Sequence, residues 1–210
     1  MNVKKMKNLF LRQSYLDSWT DYESSLTKPS FIKWDYLVLT ASNEEQARTY
    51  REQIDYRLKQ GRLPADTHYA VLPDPEGKRV GSGGATLHVL NYIAEREREK
   101  GKGQKEAGKI SEKASDKASS GTSIFQGLRI LVIHSGGDSK RVPQYSACGK
   151  LFSPVPRELP NGFGSTLFDE FVIGMSGVPS RIPEGMLVLS GDVLLLFNPL
   201  QIDFNARGAA

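Results

Sequence analysis

The chain has 210 residues, of which 39% are hydrophobic and 25% charged, with a formal net charge of +4. That balance supplies enough apolar side chains for a sizeable core and excludes wholesale disorder. Half of the net charge lies in residues 95–123, and the remaining 181 residues carry 20 basic and 18 acidic side chains, which excludes the basic footprint of a nucleic-acid reader.

The basic start, Met1 to Lys7, is followed by an apolar run of only Leu9-Phe10-Leu11. A secretory signal needs ~7–15 apolar residues there, and no stretch approaches the ~18 of a membrane span. Leu11, Tyr15, Trp19, Tyr22 and Leu26 then fall at steps of three and four, one helical stripe closed by Pro29. Tyr36 to Thr40 is short and apolar and reads as a buried strand. Ser42 with Glu45 forms a capping box for a helix whose inner face is Ala47, Tyr50, Ile54 and Leu58, ending at Gly61. A second strand follows at His68 to Leu72. Strand, helix, strand predicts a parallel α/β sheet.

Gly81-Ser82-Gly83-Gly84 reads as a glycine-rich loop before a helix from Thr86, with Leu87, Leu90 and Ala94 inward. From Glu95 that helix loses its apolar face, and residues 101–123 keep one large aliphatic side chain, Ile110. Such a segment cannot offset its ordering entropy. Residues 99–123 are therefore expected to be a disordered surface insertion within one domain, a linker between two domains being the alternative. Leu128 to Ile133 is the next buried strand, followed by a basic, glycine-rich loop from Ser135 to Lys150. The single cysteine, Cys148, lies in it, which excludes an intrachain disulfide and suits a reducing compartment. Phe168, Phe171, Val172 and Met175 line a helix capped by Ser165 or Thr166, and Met186 to Leu189 is expected to be another buried strand, ending in Ser190-Gly191-Asp192. The predicted fold is a doubly wound, mostly parallel α/β domain over residues 31–210, preceded by a helical segment over 1–30. Its ligands belong beyond the strand C-termini.

The sharpest constellation is Ser135-Gly136-Gly137-Asp138-Ser139-Lys140-Arg141-Val142-Pro143, then Gly149-Lys150. Adjacent glycines let backbone N–H groups face phosphate oxygens, and Lys140, Arg141 and Lys150 supply positive charge. Taken alone, such a loop reads equally as a solvated surface turn. Two familiar phosphate motifs fail. A P-loop needs Gly and Ser/Thr where Gln144 and Leu151 stand, and the dinucleotide fingerprint needs Gly or Ala where Thr86 stands. The turn at Gly81, Ser82, Gly83, Gly84 and Thr86 is either a nucleotide contact at a helix N-terminus or a plain connection. Asp192 is either a Mg²⁺ ligand or the cap of its own turn. His134, at a strand end, is expected to be a packed or hydrogen-bonded residue rather than a base.

The strand followed by Gly-Gly-x-Ser-x-Arg-x-Pro and a later Lys resembles the signature of sugar-nucleotide pyrophosphorylases, and most closely the GDP-L-fucose pyrophosphorylase family. Pro73 to Leu87, His134 to Pro143 and Leu189 to Phe197 carry that resemblance. It implies transfer of a nucleotidyl group from GTP to L-fucose 1-phosphate, giving GDP-L-fucose and pyrophosphate; the lack of a signal or membrane-span pattern sets the expectation of a soluble, cytoplasmic protein. The resemblance also implies Arg141 and Lys150 as catalytic residues. Gly81, Ser82, Gly83, Gly84, Thr86, Gly136, Gly137, Ser139 and Lys140 would contact nucleotide, and Asp192 would hold Mg²⁺. The chain ends eighteen residues after Asp192. It is therefore expected to be an N-terminal part of such an enzyme, inactive alone, with a non-catalytic nucleotide-binding or assembly module as the alternative.

Overall fold

A computed structural model describes residues 3–107, 124–135 and 149–193. Four strands, β1 (Tyr36–Ala41), β2 (His68–Pro73), β3 (Arg129–His134) and β6 (Gly185–Ser190), form one sheet in the order β2-β1-β3-β6. Every pairing in it is parallel. Helices cover both faces, as buried parallel strands require. Leu37 and Leu39 of β1 point into the larger apolar layer, with Ala47, Tyr50 and Ile54 of α2 (Glu44–Lys59), Trp19 and Tyr22 of α1 (Val3–Thr27), and Phe168 and Phe171 of α4 (Leu167–Met175). Tyr36 and Val38 point the other way, onto Val89 and Ile93 of α3 (Gly81–Ala107). The fold is thus the expected α/β sandwich with a parallel sheet at its centre.

Several local expectations shift. The cap of α2 is Asn43, whose side chain accepts from the Gln46 N–H, while Gln46 Oε1 accepts from Ser42. The Ser42–Glu45 box is displaced by one residue because Gln46 satisfies both sides. At the other end the Arg62 N–H reaches the Arg57 carbonyl across Gly61, which closes the helix as anticipated. Helix α3 begins at Gly81, so the glycine-rich stretch is its first turn rather than a loop. Its inward residues are Ala85, Val89 and Ile93, and Leu87 is 64% exposed. The helix also continues to Ala107, so residues 99–107 are helical rather than disordered. Lys100 there pairs with Glu97 at 2.6 Å, and Tyr36 donates to the same carboxylate, which extends the helix beyond its apolar face. Residues 108–123 lie outside the described residues.

A hairpin escaped the sequence reading. Strands β4 (Pro154–Glu158) and β5 (Gly164–Thr166) pair antiparallel beside the main sheet. Two prolines and exposed polar residues mask β4, so neither period is visible. The hairpin delivers Thr166 to the start of α4, where a capping box with Asp169 forms.

That box is joined to α2 by a buried ion pair. Arg57 donates from Nε to Asp169 Oδ1 at 2.8 Å and from one terminal nitrogen to Oδ2 at 3.1 Å, and both side chains are more than nine-tenths buried. Its guanidinium also lies 5.1 Å from the Phe152 ring centre and 5.6 Å from that of Phe168. Burial alone would raise the Asp169 carboxyl, but Arg57 and the two Thr166 hydrogen bonds outweigh it and hold the carboxyl below its ordinary range. Asp169→Ala strands a buried guanidinium and removes the Asp169 half of the capping box of α4, leaving Thr166 as its N-cap. Urea denaturation should show a loss of about 3–5 kcal/mol, whereas Asp66→Ala, at the exposed Lys33–Asp66 pair, should stay near wild type.

Candidate functional site

Parallel strands bring their C-terminal ends to one edge of the sheet, and polar residues gather there. Thr40 ends β1 next to His134 of β3, and Asp74 follows β2 with its N–H bound to the Ala41 carbonyl at 2.8 Å. The turn after β6 carries Ser190, Gly191 and Asp192, and the Gly191 N–H donates to the His134 carbonyl at 2.8 Å.

His134 connects three of these elements. Its Nδ1 lies 3.2 Å from Thr40 Oγ1 and its Nε2 lies 2.9 Å from Thr86 Oγ1 on the first turns of α3. The Thr86 hydroxyl donates to the Ser82 carbonyl, so it accepts from a protonated Nε2. Thr40 Oγ1 accepts from the Ser135 N–H, which leaves its proton for Nδ1. Both partners thus select the neutral Nε2–H tautomer. Burial lowers the His134 pKa, and the Asp74 charge offsets only part of that. His134 is a hydrogen-bonded tie between sheet and helix, as its position suggested, with no proton acceptor left free for base catalysis.

Thr40, Ser42, Asp74, Arg79, Gly81, Ser82, Ala85 and His134 enclose a cavity of about 180 Å³ against the start of α3. The first amides of that helix have no intrahelical acceptor. Beside them, burial raises the Asp74 carboxyl, partly offset by Arg79, His88 and His134. The cavity therefore offers helix N–H donors and a carboxylate acceptor side by side.

A second convergence lies around Ser135. The buried Tyr50 hydroxyl is 2.9 Å from Ser135 Oγ and donates to the Ser135 carbonyl at 3.3 Å. Gly149 has φ +68° and packs against the same ring, where a Cβ would lie 2.7 Å from Cε1 and Cζ. Lys150 follows directly, opening the short 3₁₀ turn Lys150–Phe152, and its ammonium has no partner among the described residues. Gly191 approaches from β6, where a Cβ would meet the His134 carbonyl oxygen at 2.9 Å and Ser135 Cα at 3.2 Å. The turn bearing Asp192 therefore abuts Ser135, while the segment bearing Lys150 packs on Tyr50, whose hydroxyl reaches Ser135. Asp192 is exposed and accepts from the Ser190 hydroxyl.

Of the residues singled out by sequence, Gly81, Ser82, Gly83, Gly84 and Thr86 stand on the first turns of α3, and Gly81 and Ser82 line the cavity. Lys150 and Asp192 stand at the Ser135 end of the same edge. Gly136, Gly137, Ser139, Lys140 and Arg141 lie outside the described residues, as does Cys148. The sequence reading passed over Thr40, Ser42 and Asp74 and treated Tyr50 only as core. Thr40 and Asp74 sit where an apolar strand turns polar, which is a readable signal in a parallel sheet.

Residues 122–210 match the fucose pyrophosphorylase domain family. The chain is 32% identical over 205 residues to a bifunctional fucokinase/GDP-fucose pyrophosphorylase of Arabidopsis thaliana, covering 95% of this chain and 19% of that protein. The chain is related to the fucose pyrophosphorylases. Fucose-1-phosphate guanylyltransferases of mouse and human are 30% and 29% identical, over 79% and 81% of this chain and 23% and 24% of theirs. The chain thus spans about a quarter or less of the length of these relatives. No solved structure matches it significantly. Among the described residues no helix is long and apolar enough to cross a membrane.

The His134 tie carries a pH dependence. A histidine whose folded pKa is depressed stabilises the fold fully above its unfolded value of ~6.5 and loses that contribution as pH falls through the folded value. The urea midpoint should therefore drop between about pH 7.5 and about pH 5. His134→Gln should remove part of that drop, leaving the share of His68, which burial also lowers.

Proposed function

We propose that the chain forms part of a fucose-1-phosphate guanylyltransferase, acting on GTP and L-fucose 1-phosphate in the cytoplasm. The observation that supports this most is the arrangement around Ser135: a glycine-aspartate turn abuts it and a glycine-lysine segment packs on the tyrosine that reaches it, at the strand edge of a domain similar to fucose pyrophosphorylases. In the transfer, a phosphate oxygen of the sugar attacks the α-phosphorus of GTP. The bond from that phosphorus to the bridging oxygen breaks, and pyrophosphate leaves with the electron pair. Charge builds on the departing oxygens, where Lys150, Arg141 and the amides of Gly136 and Gly137 would stabilise it. Ser139 and Lys140 belong to the same loop.

Asp192 would hold Mg²⁺, which lowers the effective charge of the phosphate tail when bound. Among the described residues no three His, Cys, Asp or Glu side chains cluster. One exposed carboxylate suits Mg²⁺, which keeps its remaining positions for phosphate oxygens and water.

The cavity at the start of α3 suits a base, since Asp74 offers a carboxylate acceptor there beside Arg79 and the helix N–H groups. A carboxylate accepts from the paired N1–H and N2–H of guanine, and the amides of Gly81, Ser82, Gly83 and Gly84 near Thr86 suit the guanine carbonyl. Adenine presents no such donor pair.

Two measurements test the proposal. With labelled GTP and L-fucose 1-phosphate, the active full-length protein carrying Arg141→Ala or Lys150→Ala should form GDP-L-fucose at least about 10²-fold more slowly. Turnover at the wild-type rate in both variants sinks the assignment, and GTP binding without turnover in the wild type selects a non-catalytic nucleotide-binding module. Asp74→Asn should weaken GTP binding and improve binding of xanthosine triphosphate, whose C2 carbonyl accepts from an amide. An unchanged ratio of the two affinities removes Asp74 from base selection.

A further inference from the structure

Helix α3 opens on Gly81-Ser82-Gly83-Gly84, three glycines in four residues. Glycine is the poorest helix former apart from proline, because it loses the most backbone freedom on ordering. Two of the three cannot be exchanged for better formers: Gly81 has φ +70°, and a Cβ on Gly84 would lie 2.8 Å from that of Val80. None of these four residues is buried, and Ala85 is the first buried side chain of the helix. The turn that borders the cavity is therefore weak by composition, and packing does not begin to hold it until its fifth residue. Among the described residues, one side-chain hydrogen bond joins the sheet to this turn. His134 Nε2 lies 2.9 Å from Thr86 Oγ1, and the Thr86 hydroxyl donates in turn to the Ser82 carbonyl at 2.9 Å. Thr40 holds the other ring nitrogen, so the imidazole is fixed at both ends.

We propose that His134 is a positioning residue that latches the first turn of α3, holding the segment from Ser82 to Thr86 in one conformation before a nucleotide arrives. The bond acts through Thr86, whose hydroxyl is engaged by His134 and Ser82 rather than by a ligand. Exchanging the glycines for stronger helix formers would distort the chain entering at Val80, so order has to come from outside the helix. A turn ordered in advance spares a ligand the entropy of ordering it. The effect on nucleotide affinity rests on the guanylyltransferase reading, whereas the latch itself exists without nucleotide.

Asparagine places its amide where the histidine Nδ1 stands and stops short of Thr86, whereas glutamine reaches the Nε2 position. Hydrogen exchange in the unliganded full-length protein, followed by mass spectrometry of peptides covering the first two turns of α3, reads the latch directly. His134→Asn and Thr86→Val should each speed exchange there about fivefold, the scale of one net hydrogen bond. His134→Gln should keep most of the wild-type protection. Ile93→Val, a core change further along α3, is the control for general loosening. Exchange unchanged in either His134→Asn or Thr86→Val, or an increase that Ile93→Val reproduces in the same peptides, overturns the latch. So does His134→Gln exchanging as fast as His134→Asn. GTP affinity gives a second comparison: each of His134→Asn and Thr86→Val should bind about fivefold more weakly, and the double variant no more weakly than either alone. Additive losses would make Thr86 a nucleotide contact in its own right and count against the latch. A wild type that does not bind GTP defeats the guanylyltransferase reading, while the exchange measurement still decides the latch.

Discussion

Arg57 and Asp169 form the joint on which the candidate site rests. A guanidinium and a carboxylate removed from water each carry a large desolvation cost, and only near-complete hydrogen bonding offsets it. Here the carboxylate accepts from two Arg57 nitrogens and from Thr166, and the guanidinium also reaches the Gln53 and Thr166 side chains. The pair therefore locks α2 to the capped end of α4. Between them sits Phe152, which continues the segment starting at Gly149 and Lys150. Among the described residues Lys150 is placed by its neighbours rather than by a bond of its own.

The same helix face then controls the far end of the edge. Tyr50 reaches Ser135, Ser135 abuts Gly191, and the following residue is Asp192. A separate tie runs from Ser135 through Thr40 and His134 to Thr86 and the Ser82 carbonyl. Two polar chains thus radiate from one serine, one toward the segment with Lys150 and one toward the start of α3. Each polar atom along them is satisfied, which makes the arrangement stiff as well as inexpensive. A stiff edge suits a reaction in which donors must already face the oxygens where charge appears.

Much of the scaffold was legible from residue pattern. Tyr36 to Thr40, His68 to Leu72 and Met186 to Leu189 are short apolar runs and each is a parallel strand. Strand β1 is buried on both faces as such a run requires, whereas β6 ends the sheet order with Val188 42% exposed. The stripe Phe168, Phe171, Val172 and Met175 is buried as its spacing requires. Failures arose where local signals competed. Leu87 has a larger apolar side chain than Ala85, yet Ala85 is buried on one stripe with Val89 and Ile93 while Leu87 is exposed. Leu11 belongs to the predicted stripe of α1 but is 42% exposed, and Trp19 and Tyr22 supply that helix's packing. The β4–β5 hairpin has prolines where a strand pattern would alternate, so only its pairing reveals it.

The amino-acid order alone determined the parallel α/β class, the kinship motifs from Pro73 to Leu87 and from His134 to Pro143, and the choice of Lys150 and Asp192 as residues to examine. Those properties are local: they depend on spacing along a few turns or one strand. Tertiary structure alone decided that Tyr50 spans Ser135 and Gly149, that His134 is held neutral between two threonines, and that Asp74 faces the first turn of α3. The Tyr50 and His134 contacts join residues 48 to 99 positions apart because parallel pairing aligns the strand ends. No periodicity in the chain encodes which hydroxyl meets which ring.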